Sequence, residues 1–293
     1  MATALFDDTF LKQLETLSIV SRKVFAGRAG GERRSPKRGS GVEFRDYRPY
    51  VLGDDIRYID WNIYSRLDRL ILKLFVEEKD LCLHLLVDAS GSMAYGAPPK
   101  IDYALRVAAA LGYIGFINLD RVAFGFLAGA QDRTIRPRRG RGQIFPMMDF
   151  LGQVRAGGRT DLNASLRDYA LRAKEPGTVV LVSDLLDAKG FEDGVYALLQ
   201  RGFEVLLIHL LSELELHPPL LGDWRLVDLE VGESEEATID GDLLARYGRN
   251  LRAFFDRVER FCLQNQVDYV RASTAVPFED LILRHLRAGG FLR

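Results

Sequence analysis

Carboxylates and hydroxyls recur in this chain at spacings that suit a bound cation. Asp88-Ala89-Ser90-Gly91-Ser92 puts an acid and two hydroxyls at alternate positions of a turn that Gly91 keeps tight. Further along, Gly157-Gly158-Arg159-Thr160-Asp161 is a glycine-rich loop offering a hydroxyl and a carboxylate at the start of a helical pattern, and Ser183-Asp184 ends an apolar run. Magnesium is a hard ion that takes six oxygens and keeps several waters, so a few hydroxyls with one or two carboxylates are a sufficient protein share. In such a site Ser90, Ser92 and Thr160 bind the ion directly, while Asp88 and Asp184 accept hydrogen bonds from its waters. Manganese or calcium would use the same oxygens. Because the hydroxyls are neutral, the ion stays electrophilic toward one more carboxylate, and an Asp or Glu of a partner protein can complete its shell.

Each piece also has a plainer reading. Asp88, Ser90 and Ser92 suit a turn whose hydroxyls cap the next helix, Thr160 or Asp161 suits the N-cap of the helix from Leu162, and Asp184 suits a strand-end turn. The metal reading is preferred because the three segments follow one another in order at strand ends. A magnesium-dependent phosphohydrolase with Asp88 as nucleophile is the rival from the enzyme class, but it wants a second acid two residues on, where Ser90 stands. A serine nucleophile at Ser90 lacks the glycine-x-serine-x-glycine elbow, and no glycine-rich lysine loop for nucleotide phosphates occurs. The chain is therefore expected to be non-enzymatic.

The basic clusters Arg33, Arg34, Lys37, Arg38 and Arg136, Arg138, Arg139, Arg141 raise RNA binding as a third class. No aromatic stacking pattern accompanies either, so a solvated face or an acidic protein partner is preferred. The charges Arg45, Asp46, Arg48, Asp54, Asp55, Arg57 and Asp60 fit internal ion pairs and an interaction surface equally well. Trp61 and Tyr64 are read as core anchors, and His84, His209, His217 and His285 as structural, since they lack ligand spacing.

These residues need a frame. Leu81 to Val87 is a nearly continuous apolar run, as expected of a strand buried on both faces of a parallel sheet. Val122 to Leu127, Val179 to Val182 and Val205 to Leu211 repeat that signal, with helical patterns at 100–118, 145–154, 162–174 and 191–200 between them. Alternating strands and helices imply right-handed crossovers and a doubly wound, mostly parallel α/β sheet. Ligands of such sheets bind outside the carboxyl ends of the strands, where Asp88 and Asp184 fall. A strand pair over 224–239, a long helix over 243–264, a strand over 269–271 and a helix over 278–286 would complete it. Upstream, helical spacing covers 10–25, residues 27–41 read as a glycine-rich basic linker, and 70–76 as a strand. The expected division is an N-terminal helical and mixed extension, 1–80, and an α/β domain, 81–293.

The 293 residues are 47% hydrophobic and 28% charged, which is ordinary globular composition. Forty Lys and Arg against forty-one Asp and Glu give no global drive toward nucleic acid or anionic membrane. Two cysteines without ligand spacing suit a reducing compartment. Asp7 and Asp8 stand where a secretory signal would carry basic residues, and no apolar stretch reaches the roughly 18 residues that cross a bilayer. A soluble, cytoplasmic, bacterial-type protein without membrane contact is expected.

Taken together, Asp88-x-Ser90-x-Ser92, Thr160 and Asp184 resemble the metal-ion-dependent adhesion site of von Willebrand factor type A domains, residue type for residue type. Phe44-Arg45-Asp46-Tyr47-Arg48-Pro49-Tyr50, the stretch Gly53 to Trp61 (GDDIRYIDW) and Leu72-Lys73 resemble the segment that marks the domain-of-unknown-function 58 proteins. That likeness extends to the C-terminus and is more specific than the metal motif. It implies a von Willebrand factor A or Rossmann-like sheet and a cytosolic partner of a MoxR-type AAA+ ATPase, acting as an adaptor in chaperone-like maturation or assembly of other proteins. The adhesion site would then be where the chain meets its ATPase or its client. Larger members of that family have membrane spans; none is visible here, so membrane anchoring is not expected.

Overall fold

The computed structural model describes residues 8–20, 42–77, 81–128, 133–230 and 232–293. In chain order, α1 (Asp8–Leu14) precedes β1 (Val42–Pro49), α2 (Trp61–Leu67), β2 (Ile71–Glu77), β3 (Cys82–Asp88) and α3 (Lys100–Ile117). Then come β4 (Arg121–Leu127), β5 (Arg133–Arg139), α4 (Ile144–Gly152), α5 (Leu162–Arg172) and β6 (Thr178–Ser183). The chain continues through α6 (Glu192–Gln200), β7 (Glu204–Leu211), α7 (Glu213–Leu216), β8 (Gly222–Val227) and β9 (Ser234–Ile239). It ends with α8 (Gly241–Gln264), β10 (Asp268–Ser273) and a helical segment over 278–286. Contacts group residues 8–20 with 81–293 in one unit and 42–77 in a second.

The larger unit is a mixed α/β fold on a six-stranded sheet of order β10-β7-β6-β3-β4-β5. All neighbours pair in parallel except β4 and β5. The apolar run of β3 explains its central place: every one of its residues is buried. Leu83, Leu85 and Val87 face a layer containing α1, α3 and α4, whereas Leu86 faces α5, α6 and α8 on the other side. Each such side chain removed from water stabilises the fold by roughly 1.5–3 kcal/mol before the entropy of ordering is counted. Helices cover both faces because the chain progresses along the sheet in one direction from β3 to β4 and in the other from β6 to β7.

The smaller unit pairs β1 with β2 antiparallel, with α2 in the connection. Asp60 caps α2 by accepting from the amides of Asn62 and Ile63, and also takes Lys73 Nζ at 3.0 Å. Arg48 grips Asp54 through two 2.7 Å bonds, and Arg57 pairs with Asp55. The alternating charges of this segment thus form internal pairs. The side chains of Arg45 and Asp46 lie outside the described residues.

Several expectations change. The opening helix stops at Leu14; Leu17 is still buried, but Ser18 and Val20 bond to the backbone of Arg293 and Phe291. With Phe10, Leu14 and Leu17 packed in the core of the larger unit, α1 belongs with the α/β portion and not with an extension over 1–80. Trp61 and Tyr64 are not core anchors: they are 59% and 39% exposed and stand edge to face with ring centroids 6.0 Å apart. Strand β5 was not expected, because its arginines and Pro137 hide the apolar alternation; those residues suit an edge strand that must not recruit another. The linker over 27–41, with its basic cluster at 33–38, lies outside the described residues. Among the described residues no helix is long and apolar enough to cross a membrane.

Candidate metal centre

Strands β3 and β6 are adjacent, yet the chain leaves β3 toward β4 on one side and β6 toward β7 on the other. The strand order reverses between them, which opens a crevice at their carboxyl ends. Asp88 is the last residue of β3, and Asp184 follows the last residue of β6. The glycine-rich loop is laced to the first of these: Gly157 N donates to Ala89 O and Gly91 N to Gly158 O, both at 2.9 Å. Thr160 Oγ1 donates to Leu127 O at 3.3 Å, and Leu127 is the register partner of Asp88 on β4. The three segments singled out in the sequence therefore meet on one rim.

Asp88, Ser90, Thr160 and Asp184 are all buried and Ser92 is half-buried. Asp88 accepts from Ser90 N at 2.9 Å through one oxygen and from Ser183 Oγ at 2.6 Å through the other. The hydroxyl oxygens of Ser90 and Ser92 stand 3.0 Å apart. Two neighbouring ligand oxygens of an octahedral magnesium, each about 2.1 Å from the ion, would be separated by about 3 Å, so this pair suits one ion. The reading of Ser90 as a helix cap is not met, since its side chain makes no capping bond. Asp161, not Thr160, caps α5, by accepting from Ala164 N at 2.9 Å. Lys189 holds the Asp161 carboxyl below its ordinary range.

Electrostatics sharpen the picture. Burial, with the Asp184 carboxylate nearby, pushes the Asp88 carboxyl up to about 7. Asp184 accepts from Lys100 Nζ at 2.7 Å through one oxygen and from Leu186 N at 3.1 Å through the other. Lys100, at the first turn of α3, is wholly buried and also pairs with Glu215. A capping box positions Glu215: its amide donates to Ser212 Oγ while its carboxylate accepts from Ser212 N. When ionised, the three carboxylates against one ammonium leave two negative charges in a region of low dielectric, which a divalent cation would neutralise. Both the oxygen spacing and the charge fit the ion that the sequence suggested. Among the described residues no group of three or more His, Cys, Asp or Glu is arranged to hold a metal.

Sequence reasoning did not find Lys100, Glu215 or Glu230, and it named Ser183 without its bond to Asp88. Lys100 carried one signal, a lysine just ahead of the apolar face of α3. Glu230 sits in the turn between β8 and β9 and lines a cleft of about 330 Å³ with Ser92, Arg159, Asp187 and Glu215. Burial and the carboxylates of Asp184, Asp228 and Asp187 raise its pKa.

The histidines are structural where they are buried. His84 Nδ1 pairs with Tyr169 OH at 2.7 Å and His209 Nδ1 with Tyr269 OH at 2.9 Å, and burial lowers both imidazoles to about 4. Cys82 and Cys262 are buried free thiols. Arg136, Arg138 and Arg139 stand exposed on β5, with Arg141 just beyond it.

Comparison with known proteins gives a family and several distant likenesses. Residues 46–254 match the family described as "Protein of unknown function DUF58". The protein named "Uncharacterized protein Rv1480" of Mycobacterium tuberculosis is 28% identical over 264 residues, covering 87% of this chain and 83% of that protein. Among solved structures, BatB from Bacteroides thetaiotaomicron aligns with 72% of this chain and 98% of its own, at 12% identity and a TM-score of 0.44. The SpRpn10 VWA domain aligns with 70% of this chain and 94% of its own, at 11% identity and a TM-score of 0.41.

Proposed function

The chain belongs to the DUF58 family, and from that premise we propose that it is a divalent-metal-dependent protein-interaction module and not an enzyme. Ser90, Ser92 and Thr160 would hold the ion directly, with Asp88 and Asp184 orienting its waters. When bound, the ion supplies a Lewis-acidic grip for a carboxylate of a partner. The chain's own residues do the rest: Ser183 and the Ser90 amide orient Asp88, Lys100 and the Leu186 amide orient Asp184, and the bonds of Gly91 and Gly157 hold the two loops together. By the resemblance of its upstream segment, we propose a MoxR-type AAA+ ATPase or its client as the partner, with the chain as an adaptor in maturation or assembly.

One observation carries this reading: two buried carboxylates from different strands share a crevice with paired hydroxyls and only one buried ammonium. A phosphohydrolase of the kind weighed above would need an acid two residues after Asp88, where Ser90 stands. The Lys100–Asp184 pair favours one second reading, in which the ammonium is the site's fixed cation and capture needs no metal.

The experiment is capture of a purified MoxR-type ATPase from the same host on the immobilised full chain, in magnesium or in chelator. Capture that is lost in chelator and in Ser92→Ala or Asp88→Asn supports the metal reading. Capture that survives chelator but is lost in Lys100→Met supports the second. No capture in either buffer removes the ATPase as partner, and failure of magnesium to bind in calorimetry removes the metal.

A further inference from the structure

We propose that Glu230 is an internal ligand of this site, so that the β8–β9 hairpin occupies the coordination place a partner's carboxylate would take and must lift for the partner to enter. This rests on the metal reading above and names how that site is regulated.

The hairpin turn lies directly on the metal loop. A Cβ added at Gly91 would stand 2.5 Å from Leu229 O and 3.2 Å from Glu230 Cα, so only a glycine allows the backbone of the turn to come this close to the Ser90–Ser92 loop. The turn is itself held in shape: Glu230 N donates to Asp228 Oδ1 at 2.7 Å, and Gly232 N to Asp228 O at 2.9 Å. Glu230 and Ser92 share the same cleft, whose other charged walls are Asp187, Glu215, Asp228 and Arg159. Bringing another carboxylate into a cleft already lined by Asp187, Glu215 and Asp228 is unfavourable, and Arg159 is the single cation among the cleft's lining residues. A divalent ion held by Ser90, Ser92 and Thr160 turns that repulsion into ligation, and it is the arrangement in which the placement of Glu230 is favourable.

The rest of the hairpin is built to move. All six residues of β8 are exposed, and four of β9 are as well. Among the described residues, strands β8 and β9 pair only with each other. A two-stranded ribbon in water is marginally stable by itself, so its position depends on what its tip holds. Trp224 and Leu226, two residues apart and therefore on one face of β8, are exposed and offer a partner an apolar strip.

The test uses the full chain and manganese as the probe, comparing wild type, Glu230→Gln and Asp88→Asn. Affinity is read by calorimetry, water access to bound manganese by proton relaxivity, and hairpin order by hydrogen exchange over 222–239. With Glu230 as ligand, Glu230→Gln weakens manganese at least tenfold, raises relaxivity by about the share of one added water, and abolishes metal-induced protection of the hairpin. Equal affinity, relaxivity and hairpin exchange in wild type and Glu230→Gln, with binding that still needs Asp88, would overturn the internal ligand and leave the metal site standing. Manganese binding that is absent in wild type, or indifferent to Asp88→Asn, would overturn the metal site and this inference with it.

Discussion

Lys100 Nζ donates to Asp184 Oδ2 at 2.7 Å with both side chains closed off from solvent, at 0% and 1% exposure. Burying an ammonium costs several kcal/mol, and only good hydrogen-bonded partners offset it. Lys100→Met would leave the buried Asp184 and the half-buried Glu215 without their cation, so it should destabilise the chain by about 3–5 kcal/mol. Urea unfolding in chelator measures this. Added magnesium should recover more stability in Lys100→Met than in wild type, because the ion then meets more uncompensated charge. A loss under about 1 kcal/mol would mean that the pair is not buried as described.

Asp88 should make metal-free stability fall as the solution becomes less acidic. Its folded pKa is raised to about 7 from an ordinary 3.8, so the folded state penalises the charged form. The stability associated with this group is full below about 4, declines as pH rises toward 7 and is flat beyond. Asp88→Asn removes the titration, so the difference in Tm between variant and wild type in chelator should widen from pH 4 to pH 7. For a chain of this size each kcal/mol amounts to roughly 2–4 °C. A difference that does not vary with pH would contradict the burial of this carboxyl beside Asp184. The two buried histidines titrate with the opposite sign, but they are common to both proteins and cancel in the difference.

Thr160 and Asp161 should separate cleanly. Asp161→Ala removes the α5 cap and should cost about 1 kcal/mol while leaving magnesium affinity unchanged. Thr160→Ala should lower magnesium affinity by tenfold or more with little loss of stability, since its hydroxyl makes only a 3.3 Å bond to Leu127 O. Calorimetry and denaturant curves on the same two variants decide; the reverse pattern would assign the cap to Thr160.

Gly91→Ala probes the contact between the Ser90–Ser92 loop and the hairpin. Because the clash is with backbone, relief requires the 228–230 turn to shift, at a cost of about 1–3 kcal/mol. Faster hydrogen exchange over 222–239 is expected even without metal. Unaltered exchange there would show that the turn does not rest on Gly91.

How much of this was legible beforehand depended on what carried each signal. Strands β3, β6 and β7 announce themselves because strands buried on both faces must be apolar at nearly every position, and they are: β3 and β6 are buried throughout. The helices between them followed from period. Asp88 and Asp184 were readable as residues of one rim because a parallel sheet sends every strand's carboxyl end to the same side. Strand β5 was not readable: an edge strand is defended by charge and proline, so its sequence resembles a loop. Trp61 and Tyr64 misled because aromatic residues suggest burial, and burial is decided by neighbours.

The amino-acid order by itself determined the layered α/β plan and which residues fall just beyond its central strands, since apolar periodicity and strand ends are local properties. Only the tertiary structure decided which charges those residues face. Lys100 meets Asp184 and Glu215 across 84 and 115 residues of chain, and the Glu230 turn reaches Gly91 by way of a hairpin far along the sequence. Electrostatic energy depends on distance and burial in space, and neither is written in residue spacing along the chain.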